Sequence, residues 1–97
     1  MRHRNLIGPQ IRKLRVERGW TQDYLAIKLQ LSEFDVSRSG LAKIEARLVW
    51  VGDHELLYFT HVFKVSLPAL YPDTDDQDPD FPSNLDRIME RRPRNGQ

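Results

Sequence analysis

Thr21-Gln22-Asp23-Tyr24-Leu25-Ala26, followed after a gap by Val36-Ser37-Arg38-Ser39-Gly40-Leu41-Ala42-Lys43-Ile44-Glu45, is the stretch on which the fold turns. Each half opens on a hydroxyl side chain that can accept a hydrogen bond from the first unpaired N–H groups of a helix. Each is also bracketed by a hydrophobic staple, Trp20 with Leu25 and Val36 with Leu41. Two capped helices therefore succeed one another across a tight connection. In the second of them Leu41 and Ile44 face inward. That leaves Arg38 with Ala42, and Ser39 with Lys43, as i,i+4 pairs on the outward side.

Working outward, three more segments have helical spacing and none alternates long enough for a sheet, so the body is predicted to be all-α with five helices. The first runs from about Pro9 to Arg18, with Ile7, Ile11 and Leu14 on one face and Gly19 as its stop. The second carries Leu25, Ala26 and Leu29 inward. Asp53 is the expected cap of a fourth helix whose Leu56, Leu57, Phe59 and Phe63 supply much of the core. Ser66, with Val65 and Leu70, repeats the capping pattern for a fifth. Such short helices are stable only when packed on one another.

The 97 residues, 39% of them hydrophobic, suffice for one modest core. No apolar run approaches the ~20 residues needed to cross a bilayer, and Met1 to Asn5 lack the apolar stretch of a secretory signal, so a soluble, cytoplasmic protein without membrane association is expected. The absence of cysteine excludes disulfides, thiolate nucleophiles and cysteine-based zinc sites. The formal charge of +1 hides a division along the chain. Up to Tyr71 there are 11 basic and 7 acidic residues, and from Pro72 onward 4 basic and 7 acidic. A basic body with an acidic tail points to a polyanionic partner for the body. The expected organisation is a basic arm over residues 1–5, a helical domain over 6–72 and an acidic, mostly irregular tail over 73–97, with a short helix at 83–92 presenting Leu85, Ile88 and Met89 on one side.

The ordered set Ile7-Gly8, Ile11-Arg12, Leu14-Arg15, Gly19, Thr21-Gln22, Leu25-Ala26, Ser37-Arg38-Ser39, Ile44-Glu45, Asp53, Glu55-Leu56-Leu57 and Val65-Ser66 resembles the lambda-repressor-like, Cro/Xre-type helix-turn-helix family of prokaryotic and phage regulators. The resemblance covers about two thirds of the chain and implies a sequence-specific, DNA-binding transcriptional regulator of repressor type. In that family the second helix braces on the DNA backbone and the third reads bases. It implies phosphate contacts for Gln22 and Ser37, and a partly buried ion pair between Arg15 and Glu45. Arg38 and Lys43 could then donate to guanine, and Ser39 could bond several base edges. Three positions depart from the family pattern. Gln30 to Phe34 is an insertion of about one turn, expected to lengthen the second helix. Arg47 stands where glycine is usual, which suggests a phosphate contact, and Val49 replaces a basic residue. Arg2 and Arg4 are further phosphate candidates.

His3, His54 and His61 are too scattered for a metal site or a catalytic base. Asp73, Asp75, Asp76, Asp78 and Asp80 imitate a calcium loop, but Asp78 stands where that loop needs glycine and Asn84 where it needs glutamate. With no phosphate loop, nucleophile elbow or rigid carboxylate pair, no enzyme, cofactor or metal is expected. The expected partner is double-stranded DNA bound by a homodimer, because one short helix reads few bases and paired half-sites restore specificity. The alternative is an antitoxin-like or adaptor module whose tail, Asp73 to Gln97, folds on a protein partner.

Overall fold

A first helix begins where Gly8 and Pro9 enter it, since proline's fixed φ and missing N–H suit a helix's first turn. In the computed structural model, which describes residues 3–72, α1 spans Gly8–Glu17. After it come α2 (Gln22–Leu31), α3 (Arg38–Glu45) and α4 (Asp53–Phe63), and no strand occurs among the described residues. The chain is all-α in these residues. No helix among them is long and apolar enough to cross a membrane. The expected short helix at 83–92 lies outside the described residues, as does Arg2.

The two caps are formed. Thr21 Oγ1 accepts from the Tyr24 N–H at 3.0 Å, and Ser37 Oγ accepts from the Gly40 N–H at 3.0 Å. At α4 the capping residue is Gly52 rather than the expected Asp53, which is instead the helix's first residue. Gly52 has no side chain to offer, so Glu55 supplies the bond instead, its carboxylate accepting the Gly52 N–H at 2.7 Å. The fifth segment is a single 3-10 turn, Leu67–Leu70, in which Ser66 makes no side-chain cap bond. Four residues, one of them Pro68 without an N–H, cannot develop an α-helical ladder.

All four α-helices end on a residue in the left-handed region, though only one of these is glycine. Gly19 (φ 70°), Glu33 (φ 74°) and Arg47 (φ 64°) come after α1, α2 and α3, and Lys64 (φ 57°) closes α4. The first three sit in Schellman motifs, with paired return bonds from Gly19 to Val16 and Trp20 to Arg15, Glu33 to Gln30 and Phe34 to Leu29, and Arg47 to Ile44 and Leu48 to Lys43. The Gln30–Phe34 insertion is thereby resolved into the last two residues of α2, its stop, and Phe34. Phe34 turns back into the core against Phe59 and stacks on Tyr58 at 5.2 Å.

Ile7, Ile11 and Leu14 meet Leu25, Ala26 and Leu29, Leu41 and Ile44, and Phe59 and Phe63 in one core that Val36 and Leu70 complete. Leu57, expected in that core, is 61% exposed, and Leu56 is half-buried. Two positions along a helix turn a side chain about 200° away, so Leu57 cannot share the inward face of Phe59 and Phe63. Underneath, α1 packs on α3, α2 on both α3 and α4, and the 3-10 turn on α1 and α4. The α1–α3 contact is close: a Cβ at Gly8 would collide with the Ile44 carbonyl oxygen and lie 2.7 Å from that of Glu45. Only glycine lets the start of α1 meet the end of α3 there.

Candidate nucleic-acid interface

Glu45, near the end of α3, organises the three helices that frame the candidate interface. Its carboxylate accepts Arg15 Nε at 2.8 Å and Arg15 Nη2 at 3.0 Å, a two-pronged ion pair with α1. Gln22 Nε2, from the first turn of α2, donates to the same carboxylate at 3.2 Å. The remaining prong of the guanidinium, Nη1, donates to the Trp20 carbonyl at 2.8 Å, in the α1–α2 connection. Arg15 and Glu45 are both buried, so charge and hydrogen-bonding capacity must be matched, and here they are. The Glu45 hydrogen bond raises the Arg15 guanidinium further above its ordinary pKa, against the opposing effect of burial. The pair suggested by resemblance is present and joins α1 to α3, while the Gln22 bond adds α2.

Gln22 is thus tied at its amide nitrogen to Glu45, so that the start of α2 is fastened to the last residue of α3. On α3, Arg38, Ser39 and Lys43 are all exposed, while Leu41 and Ile44 point into the core. Arg38 Nε lies 3.7 Å from Asp23 on the first turn of α2, with both side chains 67% exposed. A pair so open contributes little to stability and leaves Arg38 available to another acceptor. Ser37 and Ser39 hydroxyls approach to 3.2 Å, and Ser37 is already committed to its cap. The structure therefore brings Gln22, Ser37, Arg38 and Ser39 to one region, with Lys43 one turn further along α3 from Ser39.

Arg47 is placed differently. Its Nε donates to the Asn5 carbonyl at 2.8 Å, and its own carbonyl accepts the Arg4 N–H at 3.0 Å. The side chain braces the N-terminal segment against the loop after α3. Gly40 also has a local explanation: a Cβ there would meet Val36 Cγ2 at 3.2 Å and Ser37 Oγ at 3.3 Å. A larger residue there would have to displace the staple and cap of its own helix by a few tenths of an ångström.

Sequence reasoning missed Asn5, which it assigned to a basic arm. Asn5 is buried, its Nδ2 donates to the Ile44 and Val49 carbonyls at 3.1 and 2.9 Å, and its Oδ1 accepts the Gly8 N–H at 2.8 Å. It satisfies the first N–H of α1 and fastens that helix to the exit of α3 at once. An asparagine three residues ahead of a Gly-Pro helix start was the available signal. Arg18 does similar work at the other end of α1, donating to the Leu14 and Phe63 carbonyls at 3.0 and 2.9 Å with its guanidinium over the Phe63 ring. Trp20, read as staple packing, stacks on Phe63 at 5.7 Å and meets Tyr24 at 5.3 Å.

No family model matches the chain, and no curated protein or solved structure is significantly similar to it. Among the described residues no group of three histidine, cysteine, aspartate or glutamate side chains is placed to hold a metal ion.

Proposed function

We propose that the chain is a sequence-specific regulator that binds double-stranded DNA, with α2 and α3 as the two helices of a helix-turn-helix and α3 entering the major groove. One observation carries this reading: Arg38, Ser39 and Lys43 stand exposed on one capped helix whose opposite side is locked into the core by Leu41, Ile44 and the Arg15–Glu45–Gln22 network. A rigidly held helix presenting exposed donors suits base-edge recognition, in which arginine and lysine donate to guanine O6 and N7. Ser37 and the first-turn N–H groups of α2 and α3 suit phosphate contacts, with Gln22 contributing its amide oxygen. Arg47 acts as a brace for the N-terminal segment through its bond to the Asn5 carbonyl. The protein works in the cytoplasm as a homodimer on paired half-sites, and its mechanism is occupancy of an operator rather than chemistry.

The rival reading is an antitoxin-like or adaptor module whose tail binds a protein. Selection of bound sequences from a random duplex pool, and then a salt titration on the selected and on random DNA, separates the two. A DNA regulator enriches a motif and its log affinity falls linearly with log salt on both duplexes. An adaptor enriches nothing and binds neither.

A further inference from the structure

Away from α3, between the end of α2 and the outer side of α4, two adjoining hollows of about 220 and 390 Å³ share Ser32 and His61 as walls. Together they form one groove, floored by the half-buried Tyr58 and Val62. Leu57 lines it at 61% exposure, and Leu31 at 81% is the most exposed large apolar side chain of the described residues. Two large aliphatic side chains left this open on either side of a groove mark a surface that gains from being covered.

The charge around the groove narrows what can cover it. Lys28 and Lys64 line one end and no carboxylate belongs to the lining; the nearest in sequence, Glu33 and Asp53, adjoin Ser32 and His54 outside it. A second copy using the same face would set cationic patches against each other, which like-charge repulsion disfavours. The complementary occupant is acidic and apolar. The chain contains one: Asp73, Asp75, Asp76, Asp78 and Asp80, then Phe81, Leu85, Ile88 and Met89.

The connection is also short. Pro72 is eight residues beyond Lys64, which lines the groove, and the intervening 3-10 turn packs back on α4. Residues 73–80 can extend over roughly 26 Å, whereas the eleven residues of α4 rise only about 16 Å. The acidic run is therefore long enough to carry the apolar residues that follow it along the length of α4, and tethering supplies a high effective concentration. We propose that the α2–α4 groove is the docking site of the chain's own 73–89 segment, its aspartates facing Lys28 and Lys64 and its apolar residues covering Leu31 and Leu57.

The 97-residue chain has no cysteine, so Ser83→Cys gives a single attachment point for a nitroxide spin label. In the ¹⁵N spectrum of the labelled protein, the amides of Leu31, Ser32, Leu57 and His61 are expected to lose most of their intensity. Raising the salt concentration, or adding Leu31→Glu with Leu57→Glu, should restore it. Both leucines are exposed, and circular dichroism checks that the double variant stays folded. A second sample mixes unlabelled ¹⁵N chains with spin-labelled ¹⁴N chains, and here the same amides should keep their intensity. Loss concentrated on Arg38 to Lys43, loss nowhere, or loss that persists in the mixed sample would each overturn the proposal, the last by assigning the groove to a second copy. None of these readouts involves DNA, so the result is independent of the proposed function.

Discussion

Glu45 receives three side-chain N–H groups from two other helices, and the energetic meaning of that carboxylate is best seen by removing it. Glu45→Ala strands a guanidinium that is 11% exposed, and loss of one member of a buried pair is strongly destabilising. The expected cost is about 2–4 kcal/mol in thermal or urea unfolding, with Gln22 also losing the acceptor of its amide nitrogen. Replacing both members, Arg15→Met with Glu45→Leu, should recover much of it, since an apolar pair leaves no orphaned charge. Arg38→Ala and Lys43→Ala belong to the opposite kind of residue. They should leave the melting temperature unchanged while weakening binding to a selected operator by about 1–3 kcal/mol each, with less effect on random duplex. Equal losses on both duplexes would make them phosphate contacts. The exposure of Arg38 and Lys43 was legible because outward and inward positions separate cleanly on α3. Asn5 was not, because its importance rests on carbonyls 39 and 44 residues away, which no local pattern announces.

The helices themselves are legible at their starts and obscure at their ends. Starts depend on Thr21, Ser37 and Pro9, whose chemistry suits one position. Ends depend on a single residue adopting positive φ, and only Gly19 advertises that ability. Glu33, Arg47 and Lys64 adopt it because the residues after them are drawn into contacts elsewhere in the fold. Phe34, for instance, enters the core only if the chain reverses at Glu33. Each such residue costs about 1 kcal/mol relative to glycine. Glu33→Gly and Lys64→Gly are therefore expected to stabilise the fold by about 0.5–1 kcal/mol apiece, read as a rise of a few degrees in melting temperature. Arg47→Gly should yield no such gain, because the relief of strain is offset by the lost bond to the Asn5 carbonyl. The same preference for inward contacts over pattern explains Leu57. Four large apolar residues in α4 cannot all face one way, and the aromatic pair Phe59 and Phe63 takes the interior.

At the scale of the molecule, the core of the described residues runs from Ile7 to Leu70. A chain ending at Pro72 should keep its helicity and cooperative melting. It should also bind random duplex more tightly at low salt, because a body with 11 basic and 7 acidic residues sheds a segment with 4 basic and 7 acidic ones. The gain should fade as the Debye length shrinks below ~10 Å, above about 0.1 M salt. A truncated chain that unfolds would show that Leu85, Ile88 and Met89 belong to the core or to a dimer contact. One that folds but turns monomeric and loses operator binding would make the tail the dimerising element. The charge division was visible in the sequence because it needs only counting. The groove between α2 and α4 was not, since it depends on which sides of two helices the core leaves over.

The Asn5 clamp also has a kinetic meaning. It joins the first described turn of chain to carbonyls 39 and 44 residues later, and its acceptors are in place only once α3 and its exit loop have been built against α1. Contacts of that separation close after the helices they connect, so the clamp acts as a latch and not as part of a nucleus. Asn5→Ala should accordingly accelerate unfolding while leaving the refolding rate nearly unchanged, with a φ-value near zero in a chevron plot. In a cell, the lifetime of the folded protein against proteolysis of its opened form would then be governed by a side chain near the start of the chain, far from Arg38 and Lys43 in sequence and separable from them by mutation.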